Sequence, residues 1–194
     1  MTQRSAQVCR TTRETTLECR LVLDGDGSAE VSTGLGFLDH MLESLSRHAG
    51  LTLALQASGD LEVDDHHTVE DCALVLGEAL EQALGDKRGV ARFGHAYAPL
   101  DEALARVVVD LSGRPWSEVN LGLRREQLGA VASENLTHFF RSLAMRGRFT
   151  LHVDLLRGDN DHHRVEAAFK ALALALREAV ALRGGGVPST KGVL

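Results

Sequence analysis

His66-His67-x-x-Glu70 recurs as His162-His163-x-x-Glu166, and each copy is preceded by an aspartate, Asp65 or Asp161. At this His and Glu content, chance supplies on the order of 0.03 such matches. The pattern suits a metal: neutral imidazole offers a nitrogen ligand and carboxylate an anionic oxygen. Both aspartates read as helix N-caps, which puts each His pair in a first helical turn. On a helix, positions three and four apart share a face, so either His of a pair can join its Glu. Adjacent positions diverge by about 100°. One His pair therefore feeds two metals more readily than it chelates one, and the two copies supply two sites, each needing a further His. His40 and His138 are the candidates, because the chain repeats them too. The donor set has no thiolate and favours Mn, Fe, Co or Zn over a structural Cys-rich zinc site. It is neither His-Glu-x-x-His nor its inverse, which excludes a zinc peptidase on motif grounds.

A second group of residues suits a phosphate. Arg92 follows Gly89-Val90-Ala91, and Arg114 sits in Ser112-Gly113-Arg114-Pro115. The tail runs Gly184-Gly185-Gly186-Val187-Pro188-Ser189-Thr190-Lys191-Gly192. Guanidinium forks match phosphate oxygens, and a glycine stretch ending in hydroxyls and a lysine can wrap an anion. Each signal alone is weak, since a single Arg is commonly a surface residue and a glycine-rich tail commonly frays. Glu14, in Arg10-x-Thr12-x-Glu14-Thr15, places a carboxylate before the first expected strand. His48 is close enough to His40 to line the same site; His95 and His152 carry no such signal.

These residues fall at matching places in an internal repeat. His40-Met41-Leu42-Glu43-Ser44-Leu45 aligns with His138-Phe139-Phe140-Arg141-Ser142-Leu143 at an offset of 98, and Leu51-Thr52-Leu53-Ala54-Leu55 with Phe149-Thr150-Leu151-His152-Val153 at the same offset. The His-His motifs lie 96 apart, and Glu18 to Leu23 resembles Arg106 to Leu111 at an offset of 88. The chain reads as a tandem duplication with halves 1–95 and 96–194. In the first half, strands are expected at Leu17–Leu23 and Leu51–Ala57, with Ala29–Thr33 as a short hairpin partner. Helices are expected from Gly36, with Phe37, Leu38, Met41, Leu42 and Leu45 on one face, and through Val69, Cys72, Ala73, Leu76, Leu80 and Ala83. The second half repeats this, with strands Ala103–Leu111, Glu118–Leu121 and Phe149–Leu156 and helices Glu134–Arg146 and His162–Leu182. The predicted class is α+β, helices packed on one face of a mainly antiparallel sheet.

Composition narrows the function. The chain has 194 residues, 44% hydrophobic and 25% charged, and a formal net charge of −6. That is the balance of a globular protein, and the acidic charge argues against a nucleic-acid partner. No apolar run reaches the roughly 20 residues of a membrane span, and Met1 to Arg10 lacks the apolar stretch of a secretory signal. Three cysteines without ligand spacing suit a reducing cytoplasm.

Gly36-Phe37-Leu38-Asp39-His40-Met41-Leu42, Asp64-Asp65-His66-His67-Thr68-Val69-Glu70-Asp71, His138-Phe139-Phe140 and Gly158-Asp159-Asn160-Asp161-His162-His163-Arg164-Val165-Glu166-Ala167 together resemble imidazoleglycerol-phosphate dehydratases. Arg10-x-Thr12-x-Glu14-Thr15 and Pro188-Ser189-Thr190-Lys191-Gly192 resemble the two ends of that family, with Thr190 standing where many members carry Ser. The resemblance covers almost the whole chain. It implies two ββαβα-type repeats and two Mn²⁺ per active site, other divalent metals being possible. It implies a homo-oligomer of 24 subunits whose neighbours share active sites. It implies metal ligation and catalysis by His40, His66, His67, Glu70, His138, His162, His163 and Glu166, and substrate contacts by several of these together with Glu14, His48, Arg92, Arg114, Ser189, Thr190 and Lys191.

The function so implied is a lyase of histidine biosynthesis that dehydrates D-erythro-imidazole glycerol phosphate to imidazole acetol phosphate. The difficulty is an unactivated C–H. Metals on the ring nitrogens would favour an imidazolate, which expels the neighbouring hydroxyl to a diazafulvene and acidifies that C–H for a side-chain base. Glu14 is the candidate base. Two rival readings exist. A two-metal phosphohydrolase would lean on bridging carboxylates, whereas these motifs offer imidazoles in excess. A metal store would have no use for the Arg and Lys phosphate set.

Overall fold

The computed structural model describes residues 3–192. The first unit is β1 (Ser5–Thr11), β2 (Thr15–Val22), β3 (Ala29–Ser32), α1 (Gly36–Ala49), β4 (Thr52–Gly59) and α2 (His66–Leu84). The second is β5 (Phe93–Leu100), β6 (Ala103–Asp110), β7 (Trp116–Asn120), the small hairpin β8 (Gln127–Leu128) and β9 (Val131–Ala132), α3 (Ser133–Arg146), β10 (Thr150–Arg157) and α4 (Asp161–Val180). The sheets have the same order, β1-β2-β4-β3 and β5-β6-β10-β7. In each, two pairings are antiparallel and the edge pairing, β3 on β4 or β7 on β10, is parallel. The α+β class and the duplicated unit hold.

Two details of the expected unit change. Each unit opens with an additional strand, β1 or β5. Only Val8 of β1 is buried; β5 alternates in burial, but its inward positions include the small Gly94, Ala96 and Ala98 while Phe93 and Tyr97 face out, so neither strand shows the apolar inward alternation that marks a half-buried strand in sequence. Glu14 therefore lies in the β1–β2 turn rather than before the first strand. The other change is β3, which is no hairpin partner of β2. Both edges of β2 are taken, by β1 and β4, so β3 crosses over and pairs parallel to β4.

The helical faces are the expected ones. Leu38, Met41, Leu42 and Leu45 of α1, and Val165, Phe169, Leu172, Leu176 and Val180 of α4, are all buried. On α2, Val69, Cys72, Ala73, Leu76, Leu80 and Ala83 are buried likewise. Each sheet is lined by the helices of its own unit, and the helices then pair across units, α1 with α4 and α2 with α3. The α2–α3 approach is close. A Cβ on Gly77 would come within 2.7 Å of Leu143 O and 2.9 Å of Gly147 N, so this position on α2 has no room for a side chain.

Candidate metal centres and phosphate group

Cross-unit helix pairing builds two triads. α1 contributes His40 and α4 contributes His162 and Glu166; α3 contributes His138 and α2 contributes His66 and Glu70. In each triad one ligand atom per residue lies within 4.8 Å of the others. His162 Nε2 stands 3.1 Å and His40 Nε2 3.5 Å from Glu166 Oε2. His138 Nε2 stands 3.1 Å from Glu70 Oε1, and the His66 and His138 rings stack with centroids 4.9 Å apart. In both triads the first His of a pair joins the Glu four residues on, so the i,i+4 alternative is the one realised. Two imidazoles and one carboxylate, gathered with no lysine or arginine needed to complete them, fit a divalent metal and leave coordination positions open.

The helix starts differ from expectation by one residue. Asp65 and Asp161 do not cap. Asp64 Oδ1 accepts from His66 N and Asn160 Oδ1 from His162 N. With those N–H groups satisfied one residue earlier, Asp65 is free to accept from Ala132 N, and Asp161 from the backbone N–H groups of Arg124 and Arg125. Burial works against the Asp161 charge, but these two donors outweigh it and hold the carboxyl below its ordinary range. The aspartates thus tie the β7–α3 connection to the motif-bearing helices.

The surroundings of the triads differ. Asn135 Oδ1 accepts from His66 Nδ1 at 2.9 Å, which leaves Nε2 with the lone pair. The equivalent position on α1 is Phe37, and its ring meets His162 edge-on at 5.3 Å. Glu166 is held by Lys170 Nζ at 2.7 Å; the equivalent of Lys170 on α2 is Leu74. Burial opposes the Glu166 charge most strongly, but the Lys170 hydrogen bond and charge, with His162 and His40, together keep its carboxyl below the ordinary range. Lys170 also lines a cleft of about 470 Å³ with His40, Glu43, Arg47 and His48. Burial, then the Lys170 charge, push the His48 imidazole below its usual range. Lys170 was not singled out in the sequence. Its i+4 spacing from Glu166 was the available signal.

His67 and His163 stand outside both triads, as the divergence of adjacent helical positions requires. His67 Nδ1 faces both Asp60 oxygens at 3.0 and 3.2 Å, and its Nε2 lies 3.9 Å from Glu14 Oε2. His163 Nδ1 donates to Glu102 Oε2 at 2.7 Å, with Nε2 4.0 Å from Asp101 Oδ2. The hydrogen bond that His67 donates to Asp60 raises its pKa, and the one that His163 donates to Glu102 does the same there.

The phosphate candidates gather around Asp110. Arg92 forks onto Asp110 with Nε at 2.7 Å and Nη2 at 3.1 Å, and its Nη1 donates to Pro188 O at 2.9 Å. Arg114 Nη2 is 3.9 Å from the same carboxylate. The tail is thereby tethered beside both arginines, and Ser189 Oγ accepts from Lys191 N. Thr190 and Lys191 are exposed. Among the described residues, the hydrogen bonds and ion pairs of this group include none of the triad residues.

Against known proteins, the sequence profile of the imidazoleglycerol-phosphate dehydratase family matches residues 33–176. The chain belongs to that family. Its relatives under that name include one from Methanothermobacter thermautotrophicus, 54% identical with both chains covered in full. Another, from Phytophthora nicotianae, is 58% identical over 98% of this chain, which spans 42% of that longer protein. The crystal structure of the Staphylococcus aureus imidazoleglycerol-phosphate dehydratase superposes with a TM-score of 0.83 at 41% identity, covering 92% of this chain and 99% of that one. Imidazoleglycerol-phosphate dehydratases are hydro-lyases of histidine biosynthesis, and that is the activity of this chain. No helix among the described residues is long and apolar enough to cross a membrane.

Proposed function

We propose that the chain dehydrates D-erythro-imidazole glycerol phosphate to imidazole acetol phosphate on two Mn²⁺, one at each triad. The observation that carries this reading is the pair of His-His-Glu triads, each assembled from both halves of the chain. Bound there, Mn²⁺ supplies Lewis acidity to the substrate ring, which makes loss of the neighbouring hydroxyl feasible. The chain's own residues do the rest. Arg92, Arg114, Ser189, Thr190 and Lys191 bind the phosphate and so set where the carbon chain lies. Lys170 and His48 line the cleft beside His40 and orient the substrate there.

Glu14 takes the carbon-bound proton. Its carboxylate is exposed and lies beside His67 Nε2 with no closer side-chain partner among the described residues, whereas the equivalent carboxylate, Glu102, is bound on several sides. A base must be uncommitted to accept a proton. His67 and His163, left out of the triads of their own chain, complete triads of neighbouring chains in the 24-subunit homo-oligomer that the resemblance implies. Three free cysteines fit a cytoplasmic protein.

The test is product analysis on metal-stripped protein with and without added Mn²⁺. Keto product that depends on Mn²⁺ supports the reading. Release of inorganic phosphate makes the chain a hydrolase, and turnover unaffected by thorough metal removal overturns the role given to the triads.

A further inference from the structure

The two units hold their outlying histidines with carboxylates from different places. In the second unit the holder is Glu102, in the β5–β6 turn, which also accepts from Asp159 N and Asn160 N. The equivalent position in the first unit, 88 residues earlier, is Glu14, in the β1–β2 turn. Glu14 does not hold His67. That task falls to Asp60, just after β4, which puts both oxygens on His67 Nδ1. Asp60 is itself well placed for this: its side chain is 18% exposed, and its carbonyl closes a turn by accepting from Val63 N at 2.8 Å. After the bulge between Leu155 and Arg157 the equivalent of Asp60 is Asp159, whose backbone N–H donates to Glu102 Oε1, and it is Glu102 that meets His163 Nδ1. The loop before α2 is also two residues longer than the loop before α4.

We infer that Asp60 is a positioning residue with two effects, an inference that rests on the roles given above to His67 and Glu14. By accepting the Nδ1–H of His67 it fixes the tautomer whose bare nitrogen is Nε2, the atom that faces Glu14 in the β1–β2 turn and is left able to ligate a metal. By occupying Nδ1 it leaves Glu14 free. Without Asp60, the proton moves to Nε2, where Glu14 at 3.9 Å is the nearest carboxylate to receive it. The base would then become a histidine holder, as Glu102 is. Carboxylates behind metal-binding imidazoles act in this way, and their loss typically costs about 10- to 100-fold in metal affinity or activity.

The test is made on the full chain, histidine-labelled with ¹⁵N and stripped of metal, at about pH 9, well above the ordinary imidazole range. Long-range ¹H–¹⁵N correlation reads the tautomer of each ring, and His67 is assigned from its loss in His67→Gln. The expected result is an Nδ1–H tautomer for His67, lost in Asp60→Ala and retained in the conservative variant Asp60→Glu. Glu102→Ala should shift His163 alone. Mn²⁺ titration of the same proteins should show about 10- to 100-fold weaker binding for Asp60→Ala, with far-UV circular dichroism confirming that it is folded. An unchanged His67 tautomer in folded Asp60→Ala overturns the inference. If Asp60→Ala does not fold, the same reading on Asp60→Asn decides, because a neutral acceptor must weaken the tautomer preference or the inference fails. A tautomer that shifts as expected in a protein whose wild type makes no keto product supports the positioning role and overturns only the dehydration mechanism.

Discussion

The two units of this chain share strand order, helix order and motif, yet equivalent positions do different work. Glu14 and Glu102 occupy the same turn. One is exposed and, among the described residues, pairs only with the His67 imidazole, while the other is drawn down to about 2 by the backbone N–H of Asn160, the imidazole of His163 and the backbone N–H of Asp159. Asp26 and Arg114 likewise occupy the same turn after the second strand of each unit. Asp26 is bound by Ser28 and Thr52, and Arg114 faces Asp110, the carboxylate that also holds the tail-tethering Arg92. Duplication supplied two frames, and divergence left an exposed carboxylate in the turn of one and put an arginine beside Asp110 in the other. The general lesson is that a repeated motif marks what both copies need, and the differences between copies mark the reaction's direction.

Exchanging the free carboxylate for an amide should break the comparison most. Glu14→Gln should lower turnover by about 10² to 10⁴ while metal content stays normal. Glu102→Gln, at the equivalent position, should lower it far less and loosen the start of α4. Steady-state assay with metal analysis on both variants checks this. Equal losses would mean that the two turns are functionally alike.

The cores can be told apart by thiols. Burial pushes Cys19 up to about 12 and Cys72 higher still, and the equivalents of these residues in the second unit are Val107 and Ala168. Thiol labelling near pH 8 should therefore spare both until the first unit opens, because the thiolate is the reactive form. If their labelling keeps pace with global unfolding, followed by circular dichroism, the two units form one cooperative body. Earlier labelling would show that the first unit opens alone.

Gly77→Ala should cost about 1–3 kcal/mol, as overpacking does. The added methyl meets Leu143 O and Gly147 N, and it spreads α2 from α3, which carries His138. The equivalent position on α4 is already Ala173. Denaturant midpoints measure the loss, and Mn²⁺ titration should show one site weakened and one intact.

The smallest effect belongs to Asp26. Hydrogen bonds from the Ser28 hydroxyl and N–H, and from Thr52, hold its carboxyl at about 2, below the unfolded value of about 3.9. A depressed folded value favours the folded state above the unfolded pKa, and the benefit is lost as pH falls through the folded one. Asp26→Asn should therefore trail the wild type slightly at neutral pH and match it near pH 2. A difference constant with pH would assign the turn's stability to shape rather than charge.

Periodicity exposed the helices and the metal motifs because both depend on spacing along one element. His66 to Glu70 is one helical turn, and so is Phe169 to Leu172. It missed β1, whose buried face is sparse, and β5, whose inward positions include Gly94, Ala96 and Ala98 while Phe93 and Tyr97 face out. It also misassigned β3, because which strand edge remains free is decided by β1, far from β3 in sequence. Asp60 and Glu102 were invisible as histidine partners for a related reason. Asp60 is near His67 in sequence but lies in a loop without period, and Glu102 reaches His163 only once β5 and β6 have folded back.

The crosswise triads carry a historical consequence. A chain of half this length holds His40 with no Glu166, or Glu166 with no His40, and the same is true of His138 and Glu70. A single-unit ancestor could have assembled a metal site only as a symmetric pair of identical chains, with both triads the same. Fusion removed that symmetry requirement. Asn135 and Phe37, or Lys170 and Leu74, could then diverge independently, giving the two triads different neighbours.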